Sequence, residues 1–173
     1  MDNVDLFFQI FNLHGKSWIL DQLMIFASTS LIYLMLLGVL FLALKGETRD
    51  RKAFLLIIVG LPVAIIIIKI IHLFLFEPRP FVTFNFTPIV PEDANASFPS
   101  RHATISAVIA FSYTYFKSKW TPFLLFIMLW IGLSRIFVGV HYPLDVLGGF
   151  TTAVLAIFIS LKIKKFLEAS FMR

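Results

Sequence analysis

Four histidines stand in this chain, and three of them lie close to an arginine. His72 precedes Arg79 by seven positions, His102 directly follows Arg101, and His141 follows Arg135 by six. Ser100 adjoins Arg101, and Asp145 stands four positions after His141, across Tyr142-Pro143. Arg stays charged and offers a planar fork of donors that matches phosphate oxygens bidentately. Several Arg around one point therefore select a dianionic or more highly charged ligand, of which phosphate is the usual example. His serves as nucleophile or general acid near neutral pH. Pro143 suits the first turn of a helix, which puts Asp145 on that turn, near His141. A carboxylate there can fix the imidazole tautomer and leave the other ring nitrogen to attack. Pro99-Ser100 opens another apolar stretch, whose N-terminal N–H groups offer an anion cradle.

Each residue also has a plainer reading. Arg79 and Arg101, taken singly, anchor helix ends to lipid headgroups, and Ser100 is an N-cap. Lys69 is a side chain reaching for the interface, and His141 with Asp145 is equally well a structural pair. Arg135 resists such a reading, because apolar residues flank it on both sides in Trp130-Ile131-Gly132-Leu133-Ser134-Arg135-Ile136-Phe137-Val138. Zinc prefers carboxylates or His without several Arg pressed against them, so no metal is expected. With no Cys in 173 residues, disulfides and thiolate chemistry are excluded.

The elements that must position these residues are membrane helices. The chain is 59% hydrophobic and 14% charged, with a mean hydropathy of +0.90. Soluble domains run nearer about 45–50% apolar and about 25% charged. A bilayer core of about 30 Å needs about 20 apolar residues of helix. The runs Gln22–Leu44, Ala53–Leu75, Ser100–Ser118, Trp120–Val138 and Leu144–Leu161 predict five crossings in one all-α bundle spanning residues 1–173 as a single domain. Val4–Leu13 carries Asp5, Gln9 and Asn12 as one polar stripe, the pattern of an amphipathic helix lying in the interface.

Short loops on one side, with the C-terminus, hold ten of the cations: Lys45, Arg49, Arg51, Lys52, Lys117, Lys119, Lys162, Lys164, Lys165 and Arg173. The opposite side holds five: Lys16, Lys69, Arg79, Arg101 and Arg135. Positive-inside bias makes the first side cytoplasmic. The formal charge of +5 is then an orientation signal, and no nucleic acid is expected as a partner. All the candidate residues fall on the outer side, between the second and third crossings and between the fourth and fifth. Ionisable residues at membrane depth are costly and functional by default, and here they converge.

Three strings carry a resemblance: Glu77-Pro78-Arg79-Pro80-Phe81, Ser97-Phe98-Pro99-Ser100-Arg101-His102, and Ser134-Arg135 followed after five residues by His141-Tyr142-Pro143-Leu144-Asp145. In order, spacing and membrane placement they resemble the signature motifs of the type-2 phosphatidic acid phosphatase superfamily. The wording is most similar to bacterial undecaprenyl-diphosphate phosphatases of the bacitracin-resistance type. The resemblance implies that His141 attacks phosphorus and forms a phosphohistidine, that Asp145 orients it, and that His102 protonates the leaving oxygen. It implies Arg79, Arg135 and Ser100 as phosphate-binding residues and no cofactor; Arg101 and His72 are expected to join them by charge and place. Two positions depart from the family pattern. His72 stands where the first motif usually has Lys, with Lys69 one helical turn earlier, and Arg101 stands where the second usually has Gly.

The expected function is hydrolysis of undecaprenyl diphosphate to undecaprenyl phosphate and inorganic phosphate at the outer face of the bacterial cytoplasmic membrane. Phosphatidic acid and phosphatidylglycerophosphate are the alternative substrates. A non-catalytic lipid-phosphate binder or transporter is the alternative of another class, though it needs no His–Asp pair. Expected partners are the lipid diphosphate and membrane lipids, with a homodimer left open. Neutral His141 beside protonated His102 predicts a bell-shaped pH–rate profile.

Overall fold

The computed structural model describes the backbone of residues 2–171 and the side chains of residues 2–166. Arg173, one of the counted cations, lies outside the described residues. Eight helices and no strands are found among the described residues.

Helix α1 (Asn3–Phe11) opens on a capping box, in which Asp2 accepts from the backbone N–H groups of Val4 and Asp5 at 2.9 and 2.7 Å. Its polar stripe of Asp5, Gln9 and Asn12 is exposed as expected. Its opposite face does more than rest on lipid. Phe7 is fully buried, stacked on Phe11 and packed against Phe84, Phe86 and Tyr142. The helix therefore caps the loops that carry the candidate residues.

The first predicted crossing is broken. α2 (Trp18–Thr29) and α3 (Leu31–Lys45) meet at Ser30 with a bend of 56°. The run Ser28-Thr29-Ser30 supplies the cause, since such side chains compete for backbone groups. Thr29 Oγ1 donates back to the Ile25 carbonyl at 2.8 Å. α4 (Thr48–Phe74) starts five residues earlier than the apolar run, because Glu47 and Asp50 form a capping box around its charged first turn. After the four-residue α5 (Pro80–Thr83) and a long connection come α6 (Arg101–Tyr115), α7 (Thr121–Phe137) and α8 (Pro143–Phe171).

By length and composition, α4 and residues Pro143–Phe166 of α8 are each long and apolar enough to cross a membrane, and the bent α2–α3 pair adds a third where its two halves count as one span. α7 is apolar but shorter, and α6 has 15 residues. Two or three crossings thus stand on these grounds, against the five expected. The low hydropathy of α6 has a packing reason. It is the central helix, touching α3, α4, α7 and α8, and it buries Ala103, Ala107, Ala110, Ser106 and Ser112 among others. Small residues let neighbouring helices approach closely without a lipid-facing apolar stripe.

One end of the bundle is tied by charge. Lys119 pairs with Glu47 at 2.8 Å, Arg49 donates to the Lys117 carbonyl at 3.0 Å, and Ser118 donates to buried Asp50 at 2.6 Å. The candidate residues lie at the other end.

Candidate active site

Residues 75–100 form an irregular lid-like connection that is nonetheless pinned at several points. Val90 is buried with Phe137, Val138 and Val140, the Ile89 N–H donates to the Val138 carbonyl at 3.1 Å, and the Ser97 N–H donates to the Glu77 carbonyl at 2.8 Å. After α7, Gly139 takes a φ of +84°, the left-handed region that glycine adopts without steric cost. This turn delivers Val140 and His141 into the space under the connection. Gly149 makes a second contribution. A Cβ there would lie 2.8 Å from the Ser100 carbonyl, so glycine lets α8 close on the start of α6. The approach allows the Ser100 N–H to donate to the Asp145 carbonyl at 3.0 Å.

His141 and Asp145 are both buried. Asp145 reaches back across Pro143, and its Oδ2 accepts from the Tyr142 N–H at 2.8 Å and from Ser97 Oγ at 2.5 Å. The same oxygen lies 3.3 Å from His141 Nδ1. The other ring nitrogen, Nε2, is 3.4 Å from Arg79 Nη1, an arrangement that puts the proton on Nδ1 and the lone pair on Nε2. Burial, followed by the charges of Arg135 and Arg79, holds the imidazole well below its ordinary value of 6.5.

Arg79 is only 2% exposed, which excludes the headgroup-anchor reading. It donates to the Val140 carbonyl at 3.2 Å and, from Nε and Nη2, to Asn95 Oδ1 at 3.2 and 2.7 Å. Arg135 is equally buried. It donates to the Ser28 carbonyl at 3.1 Å and to Ser28 Oγ at 2.8 Å. A continuous helix would commit the Ser28 carbonyl to the N–H four residues on, so the α2–α3 break provides this acceptor.

Glu92 joins the two arginines, pairing with Arg79 Nη2 at 3.4 Å and with Arg135 Nη2. Burial alone would raise its carboxyl, but the two guanidiniums outweigh that and hold it below the ordinary range. The carboxylate occupies the position between the arginines where an anionic ligand would be gripped. Replacing Glu92 with Gln is expected to strengthen competitive inhibition by inorganic phosphate by about tenfold, since it removes a like charge at contact distance. An unchanged inhibition constant would show that Glu92 and phosphate do not compete.

The remaining candidates sit around this centre. Ser100 is the N-cap residue of α6, yet its side chain makes no capping bond. Its Oγ is buried without a partner, as is Arg135 Nε, and buried polar atoms are seldom left so. His102 stands on the first turn of α6, near enough to feel the charges of Arg135, Glu92, His141 and Arg101. His72 and exposed Arg101 lie to one side, lining a groove between α4 and α6 with Lys69. Glu92, Asn95 and Ser28 were not legible as site residues. Ser97 opens the second motif string with no spacing that marks its role, and Ser28 shows in the sequence only as a polar residue within an apolar run.

Residues 51–168 match the PAP2 superfamily. The chain belongs to the PAP2 superfamily. It is thereby a phosphatase, as the three motifs led one to expect. Among PAP2 relatives, undecaprenyl-diphosphatase BcrC of Bacillus subtilis (strain 168) is 36% identical over 91% of this chain and 81% of its own length. A Bacillus licheniformis protein named bacitracin transport permease protein BcrC is 31% identical over 89% of this chain and 76% of its own. The crystal structure of Aquifex aeolicus LpxE has a similar fold, with a TM-score of 0.72 at 24% identity, covering 92% of this chain and 94% of that one.

Proposed function

We propose that this chain hydrolyses a polyprenyl diphosphate, undecaprenyl diphosphate above all, to the lipid monophosphate and inorganic phosphate. The supporting observation is the buried pair of arginines flanking His141, whose Nε2 faces Arg79 while Nδ1 faces Asp145. Five crossings carry the chain, with α2–α3, α4, α6, α7 and α8 as the spans and the site at the outer face of a bacterial cytoplasmic membrane. The uneven distribution of Lys and Arg supports this orientation.

In the first step, His141 Nε2 forms a bond to the terminal phosphorus as the bond to the bridging oxygen breaks. The electron pair leaves on that oxygen, which takes its proton from His102. Asp145 stabilises the positive charge on the imidazole. In the second step, His102 takes a proton from water, whose oxygen attacks phosphorus and breaks the P–N bond. Arg79, Arg135 and the Ser100 hydroxyl hold the equatorial oxygens throughout. Phosphoryl transfer is mostly positioning and charge neutralisation, and two fixed guanidiniums supply both.

The bell-shaped profile acquires a definite acid limb. His141 must be neutral to attack, and its lowered value keeps it neutral at pH values where an ordinary His is charged. Activity is therefore retained as pH falls through 6.5 and is lost only below it. The dependence of kcat/KM on pH over the range about 4 to 9 measures this, and an acid limb at or above 6.5 would contradict the assignment. The reading as a whole is tested by phosphate release from undecaprenyl diphosphate by purified protein in EDTA, run beside phosphatidic acid. Release from phosphatidic acid alone would keep the mechanism and change the substrate. Release from neither would favour a non-catalytic binder.

A further inference from the structure

A groove of about 390 Å³ lies between α4 and α6. Its wall is apolar where Ile65, Ile68 and Ile105 line it, and cationic at its outer end, where Lys69, His72 and Arg101 gather. No carboxylate lines it among the described residues. His72 Nε2 is buried there without a partner. Arg101 directly precedes His102, and its charge is felt by His72, Arg79, Arg135 and His141. Cations crowded together without an acidic neighbour repel one another, and an anion among them relieves that repulsion. An isoprenoid chain matches the apolar stretch, which faces the hydrocarbon.

We propose that this groove is a second phosphate subsite, in which Lys69, His72 and Arg101 hold the lipid-proximal phosphate of a polyprenyl diphosphate and the isoleucines hold its first isoprene units. The proposal rests on the diphosphatase reading above. When the terminal phosphorus moves to His141 Nε2, the bridging oxygen keeps the electron pair, and negative charge develops on the departing lipid monophosphate before the His102 proton reaches it. Arg101 neutralises that charge where it develops, so its effect is larger in the transition state than in the ground state. A lipid monophosphate ester has carbon, not phosphorus, beyond the departing oxygen and presents nothing for Arg101 to hold. The groove therefore selects diphosphates over monophosphate esters. It also accounts for the two departures from the family pattern, His72 and Arg101, as parts of one subsite.

The test is kcat/KM for undecaprenyl diphosphate and for phosphatidic acid, measured on wild type, Arg101→Gly and Lys69→Gln in the same detergent. Arg101→Gly is expected to lower the diphosphate value by about 10- to 100-fold, the range of a lost charge-assisted hydrogen bond, and the ratio of diphosphate to phosphatidic acid by at least about tenfold. Lys69→Gln shifts the ratio in the same direction by less. Equal losses on both substrates, or no loss, would overturn the subsite. Arg101 is exposed, and Arg101→Gln with an unchanged melting temperature serves as a second variant where the glycine unwinds the start of α6. Ile105→Trp, which fills the apolar stretch, raises KM for undecaprenyl diphosphate relative to a short prenyl diphosphate; an equal rise for both would count against the lipid assignment. Wild type that cleaves phosphatidic acid but not the diphosphate would overturn the substrate reading itself, a failure visible before any variant is compared.

Discussion

Replacing His141 with Ala is expected to lower phosphate release at least about 10⁴-fold, on the scale seen when a covalent nucleophile is removed. The side chain is buried, its Nε2 faces Arg79, and its Nδ1 is held at 3.3 Å by Asp145. The loss is therefore chemical, with substrate binding largely retained, because Arg79 and Arg135 keep their positions through Asn95, Val140 and Ser28. Binding of undecaprenyl diphosphate to the variant, measured beside turnover, separates the two effects. Wild type quenched during turnover of substrate labelled in the terminal phosphate should carry protein-bound label that resists alkali and is lost in acid, as a phosphoramidate does. A His141→Ala protein that keeps more than a few per cent of the wild-type rate would remove the covalent mechanism.

The second large effect belongs to Arg135. Arg135→Ala should cost about 10³-fold or more in kcat/KM, the range for a guanidinium that neutralises phosphoryl charge in the transition state. Arg135→Lys restores the charge but not the planar fork and should recover only part of the loss. The Arg135 contact to Ser28 also ties α2 to α7, and Glu92 is left with Arg79 as its remaining cation. Breaking such a buried pair typically costs about 3–5 kcal/mol, so Arg135→Ala should melt at a lower temperature as well. Arg135→Lys retains most of the stability while losing most of the activity, and equal recovery of both would assign Arg135 a structural role only.

Much of this site is legible in the residues and their spacing. His141 and Asp145 are four residues apart with Pro143 between them, and helix geometry brings them together without help from the rest of the chain. Membrane depth makes Arg135 conspicuous, since a charge in an apolar run demands a partner. The polar stripe of α1 was equally plain, because amphipathic periodicity is a local property.

Other features were hidden for a common reason. Glu92 belongs to an irregular polar segment with no periodicity, and its place between Arg79 and Arg135 depends on anchoring of that segment at Val90 and Ser97. Asn95 owes its contact with Arg79 to the same folding back. Ser28 lies 107 positions from Arg135, and only the packing of α2 on α7, with the break at Ser30, joins them. The central position of α6 could not be read from its modest hydropathy, because burial by protein and burial by lipid ask for different side chains. Membrane character, the apolar runs, the His–Asp pair and the demand for an anion follow from composition and spacing alone. Which carboxylate sits between the arginines, which backbone carbonyls hold them and which groove receives Arg101 follow from the packing. Those choices rest on contacts between distant segments, and a distant contact leaves no spacing in the chain to betray it.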